Sequence, residues 1–439
     1  MQAHVPCPAQ PLVWISFNMN SLRKFFLVVL ISGSYAGRAF ANGFSLLDQD
    51  AFATARGEAV VATADNPSAI YYNPAGIAQL DGNNLRGGVY GIYLNPSYSS
   101  PSGSPNSGNT YYSSDHLAAV PQGFYTHTFG DSGISAGLGI YAPFGGTIGW
   151  PQDTGFRTVA TQGNLSYMSF NPVIAFKLLP NLFIGMGAMA NYVNLSMEQG
   201  LAANSQPPNF FKFTGHGWSA GYNLGALWQP MKQLSFGATF KGQSQVALDG
   251  HTTFENQPTT PQQSLPAHMD LTFPLTAIGG VSYRPTPKWN LEVDTSWTRW
   301  DSFGTTTLYQ DQKPPFGINQ NITVNLGWQN SWACEFGVTR YFDSGWHVSG
   351  GYVFNENSVP NQYYSPLAAD MNRHFFSIGT GYKGKRFDFD VAYQLGYAPD
   401  HTVTGSTPST ITGFFALQNA NGKYGFMSNA LIVSVGMHF

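Results

Sequence analysis

The sequence predicts an all-β transmembrane protein, a 14-stranded antiparallel outer-membrane β-barrel with a small N-terminal hatch, or plug, inside its lumen. Three observations carry this expectation. Only 10% of the 439 residues are charged, while 15% are aromatic and 49 are glycine, a composition that suits a barrel with one face in lipid. Apolar and polar residues alternate at period two in one segment after another. The connections alternate short and long, as they do in barrels with tight turns on one side of the membrane and loops on the other. A secreted soluble β-protein is the weaker alternative.

The N-terminus reads as a targeting segment. Arg23 and Lys24 precede the apolar run Phe25–Ile31, and small residues lead to Ala39-Phe40-Ala41, a basic region, apolar region and A-x-A site in order. The apolar run is too short to span a bilayer. Residues 1–41 are therefore set apart as a cleaved extension and signal peptide, with Met19 an alternative start. Removing them takes three of the 20 Lys and Arg and no acid, leaving 17 basic against 23 acidic residues, a net charge of −6. Such a chain has no basic stripe for nucleic acid. Cys7 goes with the leader and Cys334 stands alone, alternating with Trp332, Phe336 and Val338, so packing or lipid contact is its expected role.

Residues 42–82 read as the hatch. The stretch is Ala-rich, follows neither a helical nor a strand period, and contains the breakers Asn66-Pro67 and Asn73-Pro74. Its few large apolar residues, Phe44, Leu46, Leu47 and Phe52, cannot make a core alone, so they face the lumen wall, a ligand or both.

Residues 83–439 read as the barrel. No stretch there offers eighteen unbroken apolar residues, which argues against a membrane helix. In 322–339 the even positions Ile322, Val324, Leu326, Trp328, Trp332, Cys334, Phe336 and Val338 are apolar. In 387–397 Phe387, Phe389, Val391, Tyr393, Leu395 and Tyr397 share one face, with Asp388, Asp390 and Gln394 opposite. The same period returns in 234–240 and 289–297. The expectation is apolar side chains toward lipid and polar ones inward. Tight turns are expected at 130–132, 179–181, 230–232, 285–287, 343–345 and 383–385. Longer loops are expected near 95–118, 146–163, 198–212, 255–266, 303–320, 357–372 and 399–423. The chain closes on Leu431, Val433, Val435, Met437 and Phe439, a last strand that pairs with the first to remove the sheet edges. Terminal Phe439 also resembles the signal that the barrel-assembly machinery reads.

These residues resemble the FadL family of outer-membrane transporters for long-chain fatty acids and other hydrophobic compounds. Ala55-Arg56-Gly57-Glu58-Ala59 and Tyr71-Tyr72-Asn73-Pro74-Ala75-Gly76 are similar to the family's hatch. Gly139-Ile140-Tyr141-Ala142-Pro143-Phe144-Gly145-Gly146 is similar to its kinked third strand. Ser296-Trp297-Thr298-Arg299-Trp300 and Asn357-Ser358-Val359-Pro360 look like patches in its later strands. The resemblance implies a hatch with Asn73, Pro74 and Ala75 as its motif, a ligand pocket near the mature N-terminus, and lateral exit at the kinked strand. It also implies a Gram-negative outer-membrane location among lipids. One departure stands out: 198–212 and 255–266 are short and polar where the family carries long apolar loops.

A lateral exit needs a strand that stops pairing. Pro143 lacks the N–H and Gly145-Gly146 lets the backbone bend, so Pro143, Phe144, Gly145 and Gly146 are the candidate gate. A strand simply ending at its loop is the plainer alternative, and Pro172 and Pro274 are rival kinks. On the inward faces lie Glu292, Asp294, Glu335, Asp388 and Asp390. Buried acids need positive partners or several donors, and Arg56 of the hatch is the candidate anchor for this arc, with a hydrated polar lumen as the alternative reading. Lys241 also points inward.

Nothing suggests catalysis. The ten histidines lack metal-ligand spacing and no nucleophile elbow is present, so neither enzyme activity, cofactor nor metal is expected. The leading function is passive uptake of hydrophobic molecules; a porin-like channel for small polar solutes or an adhesive barrel is the alternative. Scarce luminal Lys and Arg lean toward neutral or aromatic cargo over fatty acids.

Overall fold

The computed structural model describes residues 43–104, 106–114, 116–203, 208–315, 317–407 and 418–439. The leader expected at 1–41 lies outside them. Fourteen antiparallel strands form one closed sheet. They are β1 (Asn83–Leu94), β2 (Leu117–Thr128), β3 (Ile134–Tyr141 continuing as Gly145–Gly149), β4 (Gln162–Leu179), β5 (Leu182–Gln199) and β6 (Asn209–Met231). Next come β7 (Leu234–Lys241 and Ser244–Asn256), β8 (Thr260–Phe273 and Thr276–Thr286), β9 (Trp289–Thr298 and Thr305–Gln310) and β10 (Asn321–Asn325 and Ser331–Tyr341). The last four are β11 (Trp346–Asn355), β12 (Arg373–Lys383), β13 (Phe387–Val403) and β14 (Gly422–His438). Closure is made by β1 against β14, from Asn84↔His438 to Leu94↔Ser428, which leaves no sheet edge along that seam. A ribbon of Ser97–Ser99 and Thr110–Tyr112 lies against the outer end of β14.

Alternation follows the expected parity where strands are continuous. Phe387, Phe389, Tyr393 and Tyr397 are exposed to the membrane side, while Asp388, Asp390 and Gln394 are buried inside. Leu431, Val433 and Val435 likewise face outward.

The parity fails in 322–328. Ile322 and Trp328 are buried, and with Val324 and Leu326 they line the interior rather than lipid. The cause is a break between Asn325 and Ser331 that re-aims the chain, after which Trp332 and Val338 face outward as expected. Several expected loops are also partly strand, two of them most clearly. Residues 255–266 lie mostly in β7 and β8, which only Gln257–Thr259 connect, and 303–320 contains the strand Thr305–Gln310. Near the rim both faces of a strand are wet, so strand residues there read as polar loop.

Residues 43–82 sit within the cylinder. They form α1 (Ala51–Ala55), α2 (Ala69–Tyr72) and the 3₁₀ turn Pro74–Gln79. Asp50 caps α1, accepting from Phe52 N at 3.1 Å. Every residue of α1 is buried, and small ones let it lie flat on the wall. At Gly351 of β11, a Cβ would lie 2.0 Å from the backbone N of Gly57. Only glycine permits so close an approach.

Candidate functional site

The segment is fastened to the wall by two arginine centres. Arg56, fully buried, donates from Nη2 to Glu292 Oε2 (3.1 Å), from Nη1 to Thr339 Oγ1 (2.8 Å) and from Nε to Ala59 O (3.0 Å). Glu292 also accepts from the backbone N of Ala62 (2.7 Å) and Thr63 (3.1 Å) and from the Thr63 hydroxyl. Asp294 accepts from Val61 N at 2.8 Å. Two strand carboxylates thus hold the backbone of 61–63, satisfying N–H groups that have no strand to pair with.

The other expected acids are placed differently. Glu335 accepts from Ser296 Oγ (2.9 Å). Asp388 and Asp390 bind Arg86 of β1, at 3.2 and 2.7 Å, and Arg56 does not reach them. Asp50 of the hatch completes that second centre, accepting from Arg86 Nε (2.5 Å) and Nη2 (3.1 Å). Here the hatch contributes the acid and the wall the cation, the reverse of the expected arrangement. Arg86 escaped the sequence reading, although its inward parity in β1 was a usable signal.

Asn73, Pro74 and Ala75 form a structural knot. Asn73 Nδ2 donates to Val61 O (2.8 Å) and to Ala226 O of β6 (3.0 Å), and Asn73 Oδ1 accepts from Ala75 N (3.2 Å). Pro74 opens the 3₁₀ turn, where its missing N–H costs nothing.

Deeper in the hatch two acids lie close to each other. Asp48 accepts from Gln394 Nε2 (2.8 Å), and Glu58 accepts from Tyr72 Oη (2.7 Å). Burial raises the Asp48 carboxyl above its usual range, and burial followed by the Asp48 charge raises Glu58 well above its own.

Above the hatch lies a cavity of about 560 Å³, lined mainly by apolar side chains. Phe44 is at its centre, edge-on to Phe144, Phe273, Trp300 and Phe303 with ring centroids 5.1–6.0 Å apart. Leu46 also lines it. Leu47 is not part of the lining, and Phe52 packs lower down against His347 and Arg56. Arg373, a cation at the cavity margin, already faces Asp370 at 3.6 Å. Asp370 in turn accepts from Ser358 N and Oγ (both 2.8 Å) and from Gly43 N (3.2 Å). Most of the aromatic box comes from strand breaks whose inward turn no local pattern marks.

At the candidate gate, β3 leaves the sheet between Tyr141 and Gly145. Pro143 and Phe144 turn inward and pair with the hatch: Leu46 N donates to Pro143 O (2.8 Å) and Gly145 N to Phe44 O (3.1 Å). The β2–β3 ladder ends at Gly123↔Ile140, whereas β2 continues beside β1 as far as Leu117↔Tyr93. Gly145–Gly149 pairs with β4. Residues 117–122 therefore have no strand on their β3 side among the described residues, and Ala118–Pro121 line the cavity. The rival kinks differ: Pro172 stays within continuous β4, and Pro274 marks the break in β8.

Comparison with known proteins agrees with this architecture. The family described as "Outer membrane protein transport protein (OMPP1/FadL/TodX)" matches residues 32–437. The chain is 22% identical to the long-chain fatty acid transport protein of Escherichia coli K12, over 82% of this chain and 89% of that one. Its fold is similar to the crystal structure of a Pseudomonas aeruginosa FadL homologue, with TM-score 0.79, 17% identity, and 91% and 100% of the two chains covered. It is also similar to the Ralstonia pickettii toluene transporter TbuX, with TM-score 0.65, 16% identity, and 89% and 98% covered. The chain belongs to the FadL/TodX family of transport proteins of the Gram-negative outer membrane.

Proposed function

We propose that the protein takes up hydrophobic molecules passively, holds them in the cavity around Phe44 and Leu46, and releases them sideways between β2 and β3. The observation that carries this is the continuity of an apolar cavity with the unpaired stretch of wall, above a hatch held in the lumen by Arg56 and Arg86. An apolar solute gains roughly 25 cal/mol per Å² by staying out of water. A route from pocket to bilayer preserves that gain, and a watery axial pore would forfeit it. The cavity's size falls within the range of roughly 300–1,000 Å³ that suits small ligands.

Both candidate cargoes, long-chain fatty acids and aromatic hydrocarbons, are carried by relatives of this chain as their names describe them. Arg373 is already faced by Asp370, which favours a neutral aromatic compound over a carboxylate. In this reading residues 1–41 are a removed leader, 42–82 the hatch and 83–439 the barrel. Phe439 serves the assembly machinery, and the protein catalyses no reaction.

The test is the triple substitution Pro143→Val, Gly145→Val, Gly146→Val. A Cβ at Gly145 meets only Leu46 Cδ1 at 3.2 Å and the Leu165 carbonyl at 3.4 Å, and one at Gly146 meets nothing within 4 Å, so the barrel should still fold. Uptake of toluene by cells should fall while the yield of folded barrel holds. Unchanged uptake would remove the gate.

A further inference from the structure

The wall is interrupted a second time, seven strands further round. Below the break in β10, the ladder with β11 ends at Ala333↔Asn355, and two further bonds run from Glu356 N to Trp332 O (3.0 Å) and from Gln329 N to Ser358 O (2.8 Å). Above it, Ile322, Thr323 and Val324 pair with Leu308, Thr307 and Thr306 of β9. No strand among the described residues stands on the other side of these three. The wall there is loop 357–372.

Beyond Ser358, that loop is fastened away from β10. Asn361 bonds Thr402 O (3.3 Å) and His401 Nε2 (2.9 Å), and Thr407 N donates to Gln362 O (2.9 Å), joining the loop to the outer end of β13. Trp150 Nε1 donates to Pro366 O (3.0 Å). Toward β10, the Tyr363 ring lies over Gly327, where a Cβ would come within 2.3 Å of it. Among the described residues no backbone hydrogen bond crosses from 359–372 to 321–328. Among the described residues, parting this margin lifts the Tyr363 ring off Gly327 and strands no backbone donor.

Both margins reach the cavity, with Val324, Leu326 and Trp328 on one and Tyr363, Ser365 and Leu367 on the other. The outer end of the axis is crowded instead: Tyr98 packs on Phe156 at 4.6 Å and Tyr364 on Tyr424 at 4.7 Å, all four rings buried.

We propose that apolar ligand comes in through this seam, between Leu326 and Tyr363, as loop 357–372 swings on its attachment to β13. This rests on the transport reading above, and it makes the way in distinct from the way out.

The experiment uses full-length protein with Cys334→Ser, Thr323→Cys and Tyr363→Cys, the two new thiols joined by a flexible bismaleimide. Loading is followed by stopped-flow quenching of Trp300 and Trp328 by 1-bromonaphthalene, and the Trp300→Phe/Trp328→Phe protein supplies the micelle background. Cross-linking should slow loading by roughly tenfold at unchanged final amplitude, and Tyr363→Ala alone should speed it. If the linked protein loads as fast as the unlinked one, the seam is not the way in and the transport reading stands. If wild-type protein shows no saturable quenching, both readings fall.

Discussion

Replacing Arg56 by alanine should loosen the hatch without unmaking the barrel. The side chain is wholly buried and makes three hydrogen bonds, one of them to Glu292. Breaking a buried ion pair from one side costs about 3–5 kcal/mol because the remaining charge is left uncompensated. Glu292 keeps two backbone donors and the Thr63 hydroxyl, so the lower figure applies. About 3 kcal/mol corresponds to roughly a hundredfold increase in the open population of that part of the hatch. The assay is amide hydrogen exchange at Ala62 and Thr63, whose N–H groups end on Glu292. The amide of Ala51, which donates to Ser434 Oγ at 3.0 Å in the other anchor, is the internal reference. Faster exchange at 62 and 63 with Ala51 unchanged is expected. Exchange at wild-type rates at all three would refute the claim that Arg56 pins the hatch.

Arg86→Ala should be more severe, since it removes the one arginine shared by Asp50, Asp388 and Asp390 and leaves the last two to His438 and His347; a lower yield of folded barrel on heat-shift gels is the expected readout. Phe44→Ala removes the ring at the centre of the aromatic box, and saturable quenching by 1-bromonaphthalene should weaken by roughly tenfold, the effect of about 1.4 kcal/mol of lost contact. Hatch docking should also depend on pH. Glu58 is raised in the folded state, so its contribution is complete below the ordinary glutamate value of 4.5 and declines as pH rises through the raised one. Current fluctuations through single barrels in planar bilayers should therefore grow with pH in the wild type. They should grow less in Glu58→Gln, where the raised Asp48 remains, and a wild-type trace flat with pH would refute the assignment.

Much of the barrel was legible because lipid imposes a strict rule on continuous strands. The segment 387–397 shows it: every second residue meets hydrocarbon, so sequence and orientation cannot part company. The segment 322–328 shows its limit. Its apolar parity looks the same as that of 332–338, but the break after Asn325 turns it inward, and alternation alone carries no sign for in or out. For the same reason the cavity was only half visible. Phe44 and Leu46 stood out in a polar stretch, while Trp300, Phe303 and Trp328 lay among other aromatics with nothing local to mark an inward turn. The anchors failed differently. Arg56 and the acids were identifiable one by one, but which cation serves which acid depends on neighbours more than two hundred residues apart in the chain, such as Arg56 with Glu292.

Because β1 pairs with β14, the cylinder's final seam joins the first strand to the one made last. Asp50 is bound to Arg86, a β1 residue within that seam. Residues 43–82 are therefore tied to one of the two strands that close the seam. The Asp50–Arg86 contact is sequence-local and available early. It holds residues 43–82 beside β1 while the remaining strands are laid down around them.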